Sequence, residues 1–192
     1  AIVTTTVQPN VTVVPYLSFE DSPFRSFSGS NPNVAYFELE TFEDGSFDVP
    51  GVTASAGRVS SPENVESVDS VDGDDGAIDG SGLQGRSFTA LDGTTGIEFS
   101  FDAGTLGQLP DFVGIVWTDG EGMVTLDAFD AAGMLMGTSG PLDIADGFDN
   151  GTTAEDRFIG LTSTNGGIAS IRIRNTAGGI EVDHLQYGAF VD

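Results

Sequence analysis

Short runs of alternating apolar and polar residues, separated by glycine-rich turns, constrain this chain more than any other feature. In the run 168–174, isoleucine side chains alternate with serine and arginine side chains, a two-residue period that is typical of a strand with one buried face. Similar runs at 157–162 and 180–188 flank it, and a glycine pair separates each run from the next. Because glycine adopts the backbone angles that tight reversals need, we predict that the three runs form an antiparallel meander.

The strand-like pattern recurs along most of the chain, and no stretch has a sustained helical period. Further strand-like runs lie at 3–8, 11–19, 36–42, 96–101, 112–117 and 123–129. The run at 112–117 is almost continuously apolar, which predicts a central strand. The whole pattern predicts an all-β fold: a β-sandwich of jelly-roll type, with mostly antiparallel short strands and long acidic loops at 43–86 and 140–155.

The length of 192 residues suits one folded unit. We predict a single domain over residues 1–192, with the sandwich core at about 34–190. The segment 1–33 contains strand-like runs and a loop rich in serine, proline and asparagine. We expect this segment to pack on the core.

The charge balance excludes several kinds of partner. The chain has 30 acidic residues, six arginines and no lysine, for a formal net charge of −24. Such a surface repels nucleic-acid phosphates and anionic lipid headgroups, and no apolar run is long enough for membrane insertion. Two interpretations of the acidity stay open: adaptation to a salty environment, and binding of divalent cations, with carboxylate oxygens favouring Ca²⁺. The absence of cysteine excludes disulfides and thiol chemistry.

The densest group of acids lies at 69–85, where five aspartates are interleaved with glycines. Repulsion among these carboxylates is unfavourable unless they remain solvated or share a cation. The spacing does not fit an EF-hand loop, since Val71 and Gly73 would occupy its first and third ligand positions. The alternatives are a solvated flexible loop and a calcium site. For the second we predict as ligands Asp69, Asp72, Asp74, Asp75 and Asp79.

A second group of acids follows an early strand and returns near the end of the chain. Glu40, Glu43 and Asp44 lie in and just after the run 36–42, and Asp183 lies in the last run. The first core strand of a sandwich often pairs beside the last. Carboxylates from both strands are therefore predicted to meet around one Ca²⁺ ion and close the domain.

Four segments carry a resemblance to known proteins: YLSFEDSPF, LETFEDGSFDVPGVTAS, DGDDGAIDGSG and GIEVDHLQYG. Together they resemble exported bacterial proteins, many of which carry a PEP-CTERM sorting signal. The closing pattern is similar to the galactose-binding-like jelly rolls of many carbohydrate-binding modules. The resemblance covers residues 15–189 and implies a secreted or cell-surface location.

In those jelly rolls an early Phe-Glu strand and a late aspartate strand commonly hold a structural calcium. The resemblance therefore implies that Glu43 and Asp183 are calcium ligands, with Glu40 as a close competitor. One departure is His184, which stands where such modules often carry a small or amide residue.

The sequence offers few candidate catalytic residues. His184 is the only histidine, and its neighbour Asp183 is predicted to point to the opposite face of a regular strand, so the two cannot form a proton relay. We therefore predict that the protein is not an enzyme. The function predicted is an extracellular, non-catalytic, calcium-binding module that binds carbohydrate or belongs to a cell-surface matrix. Two alternatives stay open: a structural biofilm or surface-layer exoprotein without sugar binding, and a polysaccharide-cleaving β-sandwich enzyme.

Aromatic and cationic residues are the candidate ligand-binding groups. Trp117 and Tyr187 are candidate platforms for a sugar ring, although Trp117 ends an apolar strand, a position that more often belongs to the edge of a core than to a platform. Arg86 is a candidate for polar contacts with a ligand. Arg172 and Arg174 share a strand face, and we expect them to pair with nearby acids.

Overall fold

The computed structural model describes residues 9–65, 67–164 and 166–191, which form two antiparallel β-sheets packed face to face. The strands are β1 (Asn10–Pro15), β2 (Val34–Glu40), β3 (Val52–Ala54), β4 (Arg58–Ser60), β5 (Ser87–Ala90), β6 (Ile97–Phe101), β7 (Phe112–Glu121), β8 (Val124–Phe129), β9 (Leu135–Leu142), β10 (Arg157–Thr162), β11 (Ser170–Arg174) and β12 (Ala177–Phe190). One α-helical turn, α1, spans Ala103–Leu106, and 3₁₀ turns span Phe19–Asp21, Arg25–Phe27, Asp72–Asp75 and Thr153–Glu155. None of the helices described here is long or apolar enough to cross a membrane.

The larger sheet has the strand order β1-β10-β7-β12-β5-β4, and β2 pairs with the C-terminal part of β12. The smaller sheet has the order β3-β6-β11-β8-β9. This arrangement confirms the predicted all-β sandwich. The run at 112–117 becomes part of β7, which lies between β10 and β12 as predicted for a central strand. The run at 3–8 lies outside the described residues.

The predicted meander over 157–188 is wrong, although each of its three strands exists. Strands β10 and β12 belong to the larger sheet, whereas β11 lies in the smaller sheet between β6 and β8. The chain therefore crosses from one sheet to the other at each connection. Alternation reveals a strand with a buried face, but both sheets of a sandwich bury one face against the same core, so the pattern does not say which sheet a strand joins.

The main core fills the space between the sheets. Phe99, Ile171 and Ile173 of the smaller sheet face Ile115 and Val182 of the larger sheet, all buried. Burial of such a side chain stabilises the fold by about 1.5–3 kcal/mol. This core fixes β12, since its apolar side chains pack inward along much of its length.

A second apolar cluster lies on the outer face of the larger sheet. Tyr16 and Phe24, from the segment before β2, pack against Phe158 and Phe112. The Phe158 ring lies over Gly114 of the neighbouring strand, and a side chain at that position would have no room. The N-terminal segment thereby covers this face and brings Tyr16 to the middle of β12.

Candidate metal and ligand-binding sites

Strand β12 is interrupted by a bulge at its centre. The pairing register with β7 shifts between Asp183 and Gln186, and His184 has φ 44°, an uncommon value for a residue with a side chain. The ligand atoms of Asp183 and His184 consequently lie within 4.8 Å of each other. The prediction that these neighbours point to opposite faces is wrong, because a bulge breaks the alternation on which it depends.

Four buried or nearly buried side chains meet at this bulge, and we call them the bulge cluster: Tyr16, Asp74, Asp183 and His184. The Tyr16 hydroxyl lies 2.8 Å from His184 Nδ1, and His184 Nε2 lies 2.8 Å and 3.1 Å from the two Asp74 oxygens. Gln186 Nε2 donates to the Tyr16 oxygen at 3.2 Å. The Tyr16 hydroxyl therefore donates to Nδ1, and Nε2 carries the proton that Asp74 accepts.

Asp183 completes the cluster from the opposite side. Its Oδ2 accepts a hydrogen bond from the Val71 amide at 2.9 Å, and its Oδ1 accepts one from the His184 amide at 2.6 Å. Complete burial, and then the charge of Asp74, raise the pKa of Asp183 well above its usual range. Ligand atoms of Asp74, Asp183 and His184 lie within 4.8 Å of one another, which is about the largest separation of two oxygens bound to one Ca²⁺.

The predicted pairing of the early strand with the last strand is present, and it brings two of the early acids near this region. Strand β2 pairs with β12, with Glu40 opposite Leu185. Burial raises the pKa of Glu43 to about 7, and the nearby charge of Asp74 adds to that rise. Glu40 is buried and accepts hydrogen bonds from the Phe42 amide at 2.7 Å and the Asp48 amide at 3.4 Å, so it fixes the turn after β2.

The other acids predicted as ligands mainly stabilise turns by accepting hydrogen bonds from backbone amides. Asp72 is buried and accepts hydrogen bonds from the amides of residues 79, 80 and 81. Asp44 and Asp75 are exposed and accept from amides two residues further on. Asp79 is exposed as well. Within the described residues, Asp74 is the only loop aspartate placed in the three-ligand group with Asp183 and His184.

A second group of acids, which we call the acid pocket, consists of Asp69, Asp119, Glu155, Asp156 and Glu181. Its members come from the loop before the Asp72–Asp75 turn, from β7, from the turn leading into β10, and from β12. Asp69 is 1 % exposed and Asp156 is completely buried. Among the described residues, no donor bonds to either oxygen of Asp69, to either oxygen of Asp156, or to Oε1 of Glu155.

Burial is the main cause of the strongly raised pKa values in the acid pocket, and repulsion among its members adds to it. The pKa of Asp156 rises to about 10, with the charges of Asp69 and Glu155 contributing. The pKa of Asp69 rises to about 9, with Glu181 as the largest charge effect. The pKa values of Glu155, Glu181 and Asp119 rise to about 8, 7 and 6. At these pKa values Asp69, Asp156 and Glu155 are mostly protonated at neutral pH when no cation is bound.

The sequence predicted only Asp69 from this pocket. Asp119 lies in a Thr-Asp-Gly stretch that favours a turn, and Glu155 and Asp156 lie where an acidic loop was expected. Glu181 is the acid next to Val182 in the last strand. The members span more than a hundred residues, and only the strand order of the larger sheet brings them together.

A cavity of about 360 Å³ opens beside the acid pocket, and Asp119 and Glu181 belong to both. Glu121 and Asp149 add carboxylates to its wall, and Phe148, which is 64 % exposed, adds an aromatic ring. This combination was not predicted from the sequence. An exposed ring beside several hydrogen-bond acceptors is suited to a ligand that has both an apolar face and hydroxyl groups.

The aromatic and cationic candidates from the sequence are placed elsewhere. Trp117 and Tyr187 are completely buried, so neither presents a ring face to solvent; both pack in the core between the sheets. Arg86 donates through Nη1 to the Glu43 carbonyl oxygen at 2.8 Å and through its amide to the Glu43 carboxylate. Arg86 therefore fixes Glu43 beside the bulge cluster.

No family model matches the sequence, and no curated protein matches it. Among solved structures, the K2 cleaved adhesin domain of Lys-gingipain aligns with 79 % of this chain and 99 % of its own, at 9 % identity and a TM-score of 0.49. The C-terminal family 22 carbohydrate-binding module of Clostridium thermocellum Xyn10B aligns with 84 % of this chain and 97 % of its own, at 14 % identity and a TM-score of 0.38. A family 22 xylan-binding domain aligns with 82 % and 95 %, at 14 % identity and a TM-score of 0.37. These identities and scores are too low to assign a function to this chain.

Proposed function

We propose that this protein is a non-catalytic, calcium-binding β-sandwich module that binds carbohydrate outside the cell. The observation that carries the calcium proposal is the convergence of Asp74 and Asp183 at the bulge of β12, with Glu43 nearby. These carboxylates come from three distant segments, and a hard dication is the natural neutralising partner for such oxygens. His184 fits this arrangement without binding the ion, since its Nε2 proton orients Asp74.

The hydrogen bonds of the bulge cluster favour a binding role over catalysis. Both ring nitrogens of His184 are engaged, one by Tyr16 and one by Asp74, so neither is available to activate a serine hydroxyl. Burial, and then the charges of Asp183 and Asp74, raise the pKa of Tyr16 far above its usual value. The phenol therefore stays protonated and is a poor nucleophile.

Support for a carbohydrate ligand comes from the cavity beside Phe148. Sugars present apolar C–H faces that pack on aromatic rings and hydroxyls that donate to carboxylates. Phe148 supplies the ring, and Glu121 and Asp149 supply acceptors. The extracellular location, and the likeness to exported PEP-CTERM-type proteins, rest on the sequence resemblance of the segments quoted above.

The calcium proposal is tested by thermal unfolding with and without a chelator. An ion in hundredfold excess over its Kd stabilises the native state by about 2.7 kcal/mol, which corresponds to about 5–10 °C in Tm for a domain of this size. Asp183→Asn should remove the part of this calcium-dependent shift that comes from the bulge cluster. The control is Asp102→Asn, an exposed change that retains the cap of α1 because asparagine also accepts the Gly104 amide. Equal melting curves with calcium and with chelator would refute the calcium proposal.

The ligand proposal is tested on a glycan array with calcium present. We expect binding to a defined group of glycans, and we expect Phe148→Ala to abolish it without changing Tm, because the ring is largely exposed. An array without any binding would refute the carbohydrate ligand and leave the calcium proposal intact.

A further inference from the structure

The acid pocket holds more buried negative charge than its surroundings can neutralise. Five carboxylate oxygens, two from Asp69, two from Asp156 and one from Glu155, lack a donor among the described residues. Each buried, ionised carboxylate without a partner carries a large desolvation penalty. A native fold rarely keeps such groups unless an ion, a proton or water satisfies them.

The side chain of Arg157 does not satisfy these oxygens. Arg157 lowers the pKa of Asp156, but burial and the charges of Asp69, Glu155 and Asp72 each have a larger effect on that group. Its Nη1 donates to the backbone carbonyl oxygens of Ala154 and Asp156 at 3.0 Å and 2.8 Å. The carboxylate of Asp156 is therefore left to face Asp69 and Glu155.

We propose that the acid pocket is a second divalent-cation site, separate from the bulge cluster and selective for Ca²⁺. The ligand atoms available there are all oxygens, which favour calcium over zinc or copper. The proposal is independent of the calcium proposed at the bulge, because it rests on different side chains and on their unpartnered oxygens.

The geometry also supplies an entry path for the ion. Asp119 and Glu181 line both the acid pocket and the cavity that opens to solvent beside Phe148. Within the described residues, only the bulge cluster places three side-chain ligand atoms within 4.8 Å of one another. An ion in the acid pocket is therefore bound by no more than two of its carboxylates. Backbone carbonyl oxygens and water complete the six to eight ligands that Ca²⁺ takes.

Trp117 offers a spectroscopic probe of this site. It is the only tryptophan of the chain, and its Nε1 donates to Glu155 Oε2 at 3.3 Å. Tb³⁺ replaces Ca²⁺ at oxygen-lined sites and luminesces when a nearby indole transfers its excitation energy. Excitation selective for tryptophan will therefore report an ion near Trp117. Asp183 of the bulge cluster pairs with Val116, the neighbour of Trp117, so variants of each region are needed to assign the emission to one site.

The experiment measures indole-sensitised Tb³⁺ emission in the wild type, Asp156→Asn, Asp183→Asn and the control Asp102→Asn. We expect emission that excess Ca²⁺ displaces, a marked loss of emission in Asp156→Asn, a smaller loss or none in Asp183→Asn, and full retention in Asp102→Asn. Emission in Asp156→Asn equal to that of the wild type would overturn the proposal, as would its absence in the wild type. If Asp156→Asn does not fold, Asp69→Asn takes its place with the same expectation.

Equilibrium dialysis separates this proposal from the one for the bulge cluster. We expect Asp156→Asn and Asp183→Asn each to bind one Ca²⁺ fewer than the wild type. A loss in Asp156→Asn alone would support the acid pocket and refute the bulge site. A loss in Asp183→Asn alone would overturn the acid pocket and show that protons, not a cation, neutralise its carboxylates.

Discussion

The bulge cluster and the acid pocket both bury carboxylates along β12, but they satisfy them in opposite ways. Asp183 accepts two backbone hydrogen bonds, and Asp74 accepts from His184. Two residues before Asp183, Glu181 joins a pocket in which both oxygens of Asp69 and both oxygens of Asp156 have no donor among the described residues. Burial alone therefore does not mark a binding site. The unsatisfied oxygens are the observation that carries the proposal for the acid pocket, whereas the proposal for the bulge cluster rests on the convergence of carboxylates from distant segments.

The largest expected effect that separates the two regions is the pH dependence of stability in calcium-free protein. The folded-state pKa values of Asp69 and Asp156 are raised to about 9 and about 10, so the native state retains protons that the unfolded state has lost. Their contribution is complete below about pH 4 and is lost as the pH rises toward the folded-state values. The free energy of unfolding should fall by about 1.4 kcal/mol per pH unit for each such group.

Urea denaturation from about pH 5 to about pH 8, with and without calcium, measures this effect. Calcium should flatten or reverse the fall, since the ion replaces the protons. Calcium-free stability that rises with pH over this range would contradict the assignment of unsatisfied charge to the acid pocket.

The next largest effect is expected from His184→Ala. The substitution leaves the Tyr16 hydroxyl and the Asp74 carboxylate without their buried partner, at a cost of about 3 kcal/mol. His184→Asn should recover part of this loss, because asparagine tolerates the left-handed backbone of the bulge. Chemical denaturation measures both variants. A loss of less than about 1 kcal/mol for His184→Ala would show that the hydrogen-bonded network is not what stabilises the bulge.

A smaller effect is expected from Tyr16→Phe. The change keeps the ring packed on Phe158 but removes the donor to His184 Nδ1, and we expect a loss of about 1–2 kcal/mol. Tyr36→Phe is the matched control, because its hydroxyl donates to the Gln108 carbonyl oxygen in a less buried setting. Indole-sensitised Tb³⁺ emission should be unchanged in Tyr16→Phe; its loss would mean that the two regions are not independent.

The smallest effects on stability are expected from substitutions in the acidic stretch 69–85. Asp75 and Asp79 are exposed, so Asp75→Ala and Asp79→Ala should each change the free energy of unfolding by less than about 0.5 kcal/mol. Thermal unfolding with and without calcium checks this. A calcium-dependent loss as large as that of Asp183→Asn would show that these aspartates are ligands after all.

Local pattern was enough to predict the strands and some of their contacts. The alternation of apolar and polar residues located β6, β8, β11 and β12. Arg172 and Arg174 share a strand face, and the prediction that they pair with a nearby acid is confirmed: both guanidinium groups lie within 4.0 Å of Asp127 on the neighbouring strand β8. These features depend on residues close in sequence or on one strand face, which a period of two reveals.

The features that the sequence did not predict depend on contacts between distant segments. The bulge at His184 is a local departure from alternation that the sequence does not signal, and it determines that Asp183 and His184 act together. Trp117 was a candidate platform because it is an aromatic residue, whereas its place at the end of an apolar run favoured a core edge. The ring lies in the core, and β7 continues past it to Glu121. The acid pocket needs the strand order of the larger sheet, which no single segment encodes.

Strand β12 also determines when this protein can fold. It pairs with β2, β5 and β7 and carries residues of both acidic regions. During synthesis, the larger sheet therefore lacks one of its central strands until residues 177–190 have emerged. Up to that moment β2, β5 and β7 lack their common neighbour, so completion of the sandwich waits for this segment to be synthesised.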